Sequence, residues 1–234
     1  LHQLELAQQR LWELESVQVL GAALRKTTSK QNMLDTLLDT TLSVFNAPHG
    51  SILLLDPGGE NLYFVAAHGW PQQVADILLP VKESLSGRAF LANEAFLSAN
   101  LMQEPEYSPK VSAWTDKNGY AGMFAPIKNE IETVGVIFIG CDLPRQFAKN
   151  DLQLLSTFSE LAGTALRRES FRSETETRLV QLETLHNIDV AILSSLDLHL
   201  TLDVFLKLAM GQLKVDAMDI LLYNKQSNLL EFAT

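Results

Sequence analysis

Few residues in this chain could do chemistry, and their spacing argues mostly against it. The single cysteine, Cys141, closes the apolar run Val134–Cys141. A lone thiol makes neither a disulfide framework nor a thiolate zinc site, and buried packing is its ordinary role. Among His2, His49, His68, His186 and His199 no pair has the i, i+4 spacing of a metal-binding helix. His68 before Gly69 reads as a hydrogen-bonding histidine at a strand end, with a pocket mouth as the alternative. His186 is followed by Asn187 where a phosphoacceptor histidine would precede an acidic residue. The carboxylates Asp56, Glu60, Glu104, Glu106 and Asp116 fall in turns and loops, at no spacing that demands an acid–base pair. Gly58-Gly59 is turn chemistry, and Gly119-x-x-Gly122 is too sparse for a phosphate loop. No catalytic residue, metal site or cofactor is expected.

What remains is a set of aromatic and polar residues in and around loops: Trp70, Phe90, Asn100, Tyr107, Trp114, Tyr120 and Met123. Aromatic faces with a few polar groups over a concave sheet suit a small planar ligand. The alternative is that they fill a loop-covered core.

Composition narrows the partners. The net charge of −10 opposes nucleic acid and anionic membrane surfaces, which need a basic face. The longest apolar runs are too short to span a bilayer, so no direct membrane contact is expected. A single cysteine suits a reducing cytoplasm.

The elements that must position these residues divide by proline. All eight prolines lie between Pro48 and Pro144, which separates a turn-rich centre from helical flanks. Leu4, Leu11 and Leu14 give a short helical seam in a connector over residues 1–28. Ser29 is positioned to cap a helix with the stripe Met33, Leu34, Leu37, Leu38, Leu42 and Phe45. The centre predicts antiparallel sheet. Ser51–Asp56 and Leu62–Ala67 form one hairpin, and Ala121–Lys128 and Thr133–Cys141 a second. Pro126 calls for a bulge or an edge position. Between the hairpins fall a short helix, Ser84–Ala92, a short strand, Ala95–Ser98, and the loop Asn100–Gly119. Asp151–Leu196 contains no proline and predicts a helix of about 69 Å. Its start buries Leu154, Leu155, Phe158, Leu161, Ala162 and Ala165, while Arg167–Arg178 is almost wholly polar. Leu179, Leu182, Leu185 and Ile192 then resume an apolar face, which predicts a homodimer through paired connector helices.

Residues 14–66 recur at 182–234 with a constant offset of 168 and eleven identities in 53 positions. Leu34-Asp35 falls on Leu202-Asp203, Ile52-Leu53-Leu54 on Ile220-Leu221-Leu222, and Phe64 on Phe232. A repeat this long predicts tandem domains rather than solenoid units. The expected organisation is a complete domain over 29–166, a connector over 167–196, and the opening of a second domain over 197–234, with Asp197 as its helix cap.

The order of elements and several local motifs resemble the GAF domain family. Ser51-Ile52-Leu53-Leu54-Leu55-Asp56 resembles its first strand, and Ala66-Ala67-His68-Gly69-Trp70 the exit from its second. Leu85-Ser86-Gly87-Arg88-Ala89-Phe90 with Asn93-Glu94 resembles its Gly-Arg helix and turn. Pro105-Glu106-Tyr107, Ala125-Pro126-Ile127, Val134-Gly135-Val136 and Arg145-Gln146-Phe147 follow in the family's order. The resemblance implies an α+β fold, an antiparallel sheet with terminal helices on one face and a small-molecule pocket on the other, related to PAS domains. It implies a non-catalytic sensory and dimerisation module of a bacterial signalling protein, such as a sensor histidine kinase or a cyclic-di-GMP enzyme. A ligand-free structural spacer is the alternative. A GAF-type methionine sulfoxide reductase is disfavoured, because such enzymes need several cysteines. The chain departs from many relatives at Asn100, where they carry Asp, and at Ala121, where they carry a polar residue.

Overall fold

The computed structural model describes residues 2–25, 27, 29–106, 119–194 and 198–233. It divides into two compact units, Leu1–Ser170 and Phe171–Thr234. In the first unit, α1 (His2–Arg25) precedes α2 (Lys30–Phe45). The Ser29 hydroxyl accepts a hydrogen bond from the Asn32 N–H at 3.2 Å, satisfying a donor that the helix start leaves open. Asn46 ends α2 in a left-handed conformation, and Arg145 donates to the carbonyls of Phe45 and Asn46. Both ends of α2 are therefore closed by side-chain or turn chemistry.

Six strands make one antiparallel sheet: β1 (His49–Leu55), β2 (Asn61–His68), β3 (Leu78–Pro80), β4 (Phe96–Ser98), β5 (Tyr120–Lys128) and β6 (Thr133–Asp142). Their order is β3-β2-β1-β6-β5-β4, with α3 (Leu85–Ala92) between β3 and β4. The strand period of two divides each sequence between the faces. Ala121, Met123, Ala125 and Ile127 of β5, with Ile137, Ile139 and Cys141 of β6, join the core that includes α1, α2 and the last helix. Tyr120 and Phe124, with Val136 and Phe138, join a second core on the other face. In β2 the pairing slips between Ile52↔Ala66 and Leu53↔Phe64, leaving Val65 as an extra residue. The Val65 carbonyl accepts from the Gln31 side chain at 3.0 Å, so the bulge docks on α2.

Pro126 sits where its missing N–H costs least. β4 pairs only with Gly122–Phe124, so Pro126 lies beyond its end, one residue before the register shift at Ile127/Lys128. The Pro126 carbonyl accepts from the buried Ser159 hydroxyl.

Ser159 belongs to α4 (Lys149–Ser194), a single helix of 46 residues. Asp151 opens it by accepting from the Ala148 N–H at 2.7 Å. Leu154, Leu155, Phe158, Ala162 and Ala165 are buried in the helix-side core, and Leu161 packs partly against it. Phe158 meets Phe45 edge-on at 5.9 Å. Gly163 permits the closest approach, since a Cβ there would stand 1.7 Å from the Lys128 carbonyl oxygen.

The second unit holds the rest of α4, then α5 (Leu198–Leu213) and the hairpin β7 (Leu221–Asn224) and β8 (Leu229–Phe232). Leu221↔Phe232, Leu222↔Glu231 and Tyr223↔Leu230 repeat the pairs Leu53↔Phe64, Leu54↔Tyr63 and Leu55↔Leu62 at the same offset of 168. Lys214, offset from Asn46 by the same interval, likewise has positive φ. Leu179, Leu182 and Leu185 are exposed on α4. Asp197, Leu196 and the side chain of Ile192 lie outside the described residues. No helix among the described residues is long and apolar enough to cross a membrane.

Candidate functional site

On the face of the sheet opposite α2 and α4 lies a cavity of about 50 Å³, partly open to solvent. Its floor is Ser51 and Leu53 of β1, Phe124 of β5 and Phe138 of β6. Phe64 of β2, Trp70, Leu79 of β3 and Leu101 line it as well, with Ser84–Ser86 at the start of α3.

Trp70 is placed by the turn before it. Gly69 adopts φ +77°, and a Cβ there would lie 2.2 Å from the Pro48 carbonyl oxygen, so the turn needs glycine. The Trp70 ring sits 5.7 Å from the His49 ring and 6.1 Å from Phe138. His49 is itself held, with Nδ1 3.0 Å from the Gly69 carbonyl oxygen and Nε2 3.3 Å from Asp142 Oδ1. Tyr120 closes on its other side, ring to ring at 5.1 Å. The indole Nε1 is fully buried and has no hydrogen-bond partner. A buried donor left unpaired costs about 1–3 kcal/mol.

The α3 side is fixed by two devices. The Ser84 hydroxyl accepts from the Gly87 N–H at 3.1 Å and donates to the Pro80 carbonyl at 2.8 Å, tying the helix start to β3. Arg88 lies 3.8 Å over the Phe96 ring and reaches Glu104 at 2.9 Å and Glu106 at 3.2 Å. A hydrogen bond from Ser98 and the Arg88 guanidinium hold the Glu104 carboxyl below the ordinary glutamate range. This latch joins α3 to the segment after the Leu101–Gln103 turn.

The residues expected around a pocket are only partly brought together. Trp70 lines the cavity. Phe90 and Tyr120 belong to the core around it without lining it. Asn100 spends its side-chain oxygen on the Met102 N–H at 3.1 Å, capping a 3-10 turn. Met123 is a correction: it is fully buried on the helix face, because it alternates with the cavity-facing Phe124. Tyr107 and Trp114 lie outside the described residues. Ser51, Leu53, Phe64, Leu79 and Phe138 went unrecognised as lining. Their signal was the strand period itself, which assigns Leu53 and Phe138 to the face opposite Ile52 and Ile137.

Glu104 and Glu106, read as solvated loop carboxylates, are half-buried partners of Arg88. Cys141 is 1% exposed on the helix face, donates to the Arg145 carbonyl at 3.3 Å, and burial pushes its thiol pKa up. A protonated, buried thiol is a poor nucleophile. His68 is a strand-end residue with Nδ1 3.4 Å from Asp39. Among the described residues no group of three His, Cys, Asp or Glu could hold a metal ion.

A six-stranded antiparallel sheet, helices on one face and a roofed cavity on the other reproduce the layout expected from the motifs. The GAF domain model matches residues 27–167. The chain belongs to the GAF domain family.

Solved GAF domains share this fold. The GAF domain of a phosphoenolpyruvate-protein phosphotransferase from Coxiella burnetii is similar at TM-score 0.63 and 16% identity, covering 70% of this chain and 98% of that one. Its counterpart from Acinetobacter is similar at TM-score 0.58 and 18% identity, covering 66% and 92%. A free methionine-R-sulfoxide reductase from Neisseria meningitidis, solved with its substrate, gives TM-score 0.59 at 12% identity, covering 68% and 91%. No curated protein matches the chain. At these identities the likeness shows the fold, and residue roles rest on the geometry above.

Proposed function

We propose that this chain is a non-catalytic sensory and dimerisation module of a multidomain signalling protein, acting in the cytoplasm. A small molecule taken up beside Trp70 biases the packing of α4, and paired connector helices carry that bias onward. One observation supports this reading above the rest. The cavity floor and the seat of α4 are the same strands: Phe138 faces the cavity while Ile137 and Ile139 face the helix-side core. A ligand acts through such a sheet only by binding two arrangements with different affinity.

The exposed Leu179, Leu182 and Leu185, each more than half exposed on a long polar helix, support pairing with a second copy. The intervening helix has its own support in the i, i+4 pair Glu174–Arg178 at 2.6 Å, but such pairs contribute only about 0.2–0.5 kcal/mol. Leu179→Asp with Leu182→Asp should convert a dimer to monomers in sedimentation. An unchanged mass removes the pairing claim.

A structural spacer is the second reading, favoured by the small volume that the cavity-side core leaves open. Native mass spectrometry of the purified protein separates the two, since a retained small molecule supports sensing. Reductase chemistry has no support at Cys141, and a Cys141→Ser protein should behave as the parent does.

A further inference from the structure

If the cavity is a sensory site, the reading on which this inference rests, α3 is well placed to report its state. The helix begins at the cavity, where Ser84, Leu85 and Ser86 line it, and its cap is Asn93, left-handed at φ +56°. Asn93 is tied twice to the base of the β5–β6 hairpin. Its carbonyl accepts from Lys128 Nζ and its side-chain oxygen from the Thr133 hydroxyl, both at 2.8 Å. Lys128 and Thr133 are the last pair of the two strands, beyond a bulge that leaves Val134 unmatched. The turn past them is closed on itself. The Asn129 side-chain oxygen accepts from the N–H groups of Ile131 and Glu132, each at 2.8 Å, and the Asn129 N–H donates to the Glu132 carbonyl at 3.0 Å.

The same segment runs along α4. The Pro126 carbonyl accepts from Ser159, the Lys128 carbonyl abuts Gly163, and Glu130 pairs with Arg167. Two residues of strand advance about 6.6 Å and four residues of helix about 6.0 Å, so the three contacts fall on one face of α4. The middle one is the tightest, since a Cβ at Gly163 would stand 1.7 Å from the Lys128 oxygen. Arg167 lies just before Ser170, where the first unit ends. Leu85 and Ala89 of α3 belong to the cavity-side core, and Leu155, Phe158 and Ala162 of α4 to the other. The hairpin end bonds to both helices across the sheet. We infer that residues 126–133 couple α3 to α4. A displacement of α3 moves Lys128 and Thr133 through Asn93, and the strand end passes it to α4 at Ser159, Gly163 and Arg167. Bonded and packed contacts of this kind carry coupling between separated sites.

A double-mutant cycle on the intact ¹⁵N-labelled chain tests this without a ligand, so its failure leaves the sensory reading to native mass spectrometry. Gly163→Ala pushes on the Lys128 carbonyl from the α4 side. The backbone amides of residues 91–93 and the Asn93 side-chain amide report at α3. The same substitution is then made in a chain carrying Lys128→Met and Thr133→Val, which keep the side-chain stems and lose both bonds to Asn93. The expected result is that Gly163→Ala shifts the α3 signals in the parent, and shifts them at least about twofold less in the untied chain. Arg167→Gln, which disturbs the contact with Glu130 without adding volume, gives the same comparison if Gly163→Ala does not fold. Equal shifts in the two backgrounds overturn the proposal. So do α3 signals that stay unmoved in the parent while the α4 amides beside the substitution shift.

Discussion

The two faces of one sheet are built from alternate residues of the same strands, yet they are finished differently. On the helix face, Ile52, Ile137, Ile139 and Met123 are sealed under α2 and α4. Gly163 allows a helix backbone to touch Lys128 there, and even the Ser159 hydroxyl has its acceptor. On the cavity face, large aromatics leave about 50 Å³ open, and an indole N–H goes unpaired. A fold that needed only stability would fill both. The difference leaves one face sealed and the other with room, and it is the second face that the proposed sensory role would use.

The largest break in that contrast should come from the helix face. Phe158→Ala removes a fully buried ring between α2 and the sheet, and should cost about 3–5 kcal/mol in denaturant unfolding. Gly163→Ala places a methyl against the Lys128 carbonyl; overpacking of this kind costs about 1–3 kcal/mol, read in the same way.

The latch on the cavity face should matter less. Arg88→Gln removes a partly exposed ion pair and a cation–π contact, a loss of about 1 kcal/mol once solvent screening is allowed for. It should also change the acid limb. Because the folded Glu104 carboxyl is depressed, its contribution is present above the unfolded glutamate value and is lost as pH falls through the folded one. Thermal melts from neutral to acid pH should therefore fall less steeply for Arg88→Gln than for the parent. The smallest effect is expected at Glu174→Gln, which removes an exposed i, i+4 pair with Arg178 and should lower stability by about 0.2–0.5 kcal/mol in denaturant unfolding.

How much of this was legible follows from which signals are local. The cap at Ser29, the stripe from Met33 to Phe45 and both hairpins are set by near neighbours, and all appear where the spacing puts them. The repeat adds a second test. α2 spans Lys30–Phe45 and α5 spans Leu198–Leu213, offset by 168 at both ends, and their hairpins share one register. Burial does not follow: Leu62 is 0% exposed, whereas its equivalent Leu230 is 63% exposed. In the first copy β1 pairs with β6 and α4 packs beneath, and neither contact can be read from the repeated residues themselves.

The site was harder to read for the same reason. Trp70 stood out by type, but Leu53 and Phe138 look like any strand residues until the faces are assigned. Met123 lies only three residues from Tyr120, but the strand period turns it to the opposite face. The Arg88–Glu104 latch joins residues sixteen apart across a turn, a pairing that charge alone does not announce.

The central claim is that the cavity and α4 are linked through the strands they share. A single titration of the intact ¹⁵N-labelled chain with the small molecule that native mass spectrometry finds retained tests it, following the Trp70 indole and the backbone amides of Leu154–Ala165 together. The account predicts that both sets of signals move with the same half-saturation concentration. If the indole saturates while the α4 amides stay where they were, the cavity binds but does not signal, and the claim is contradicted.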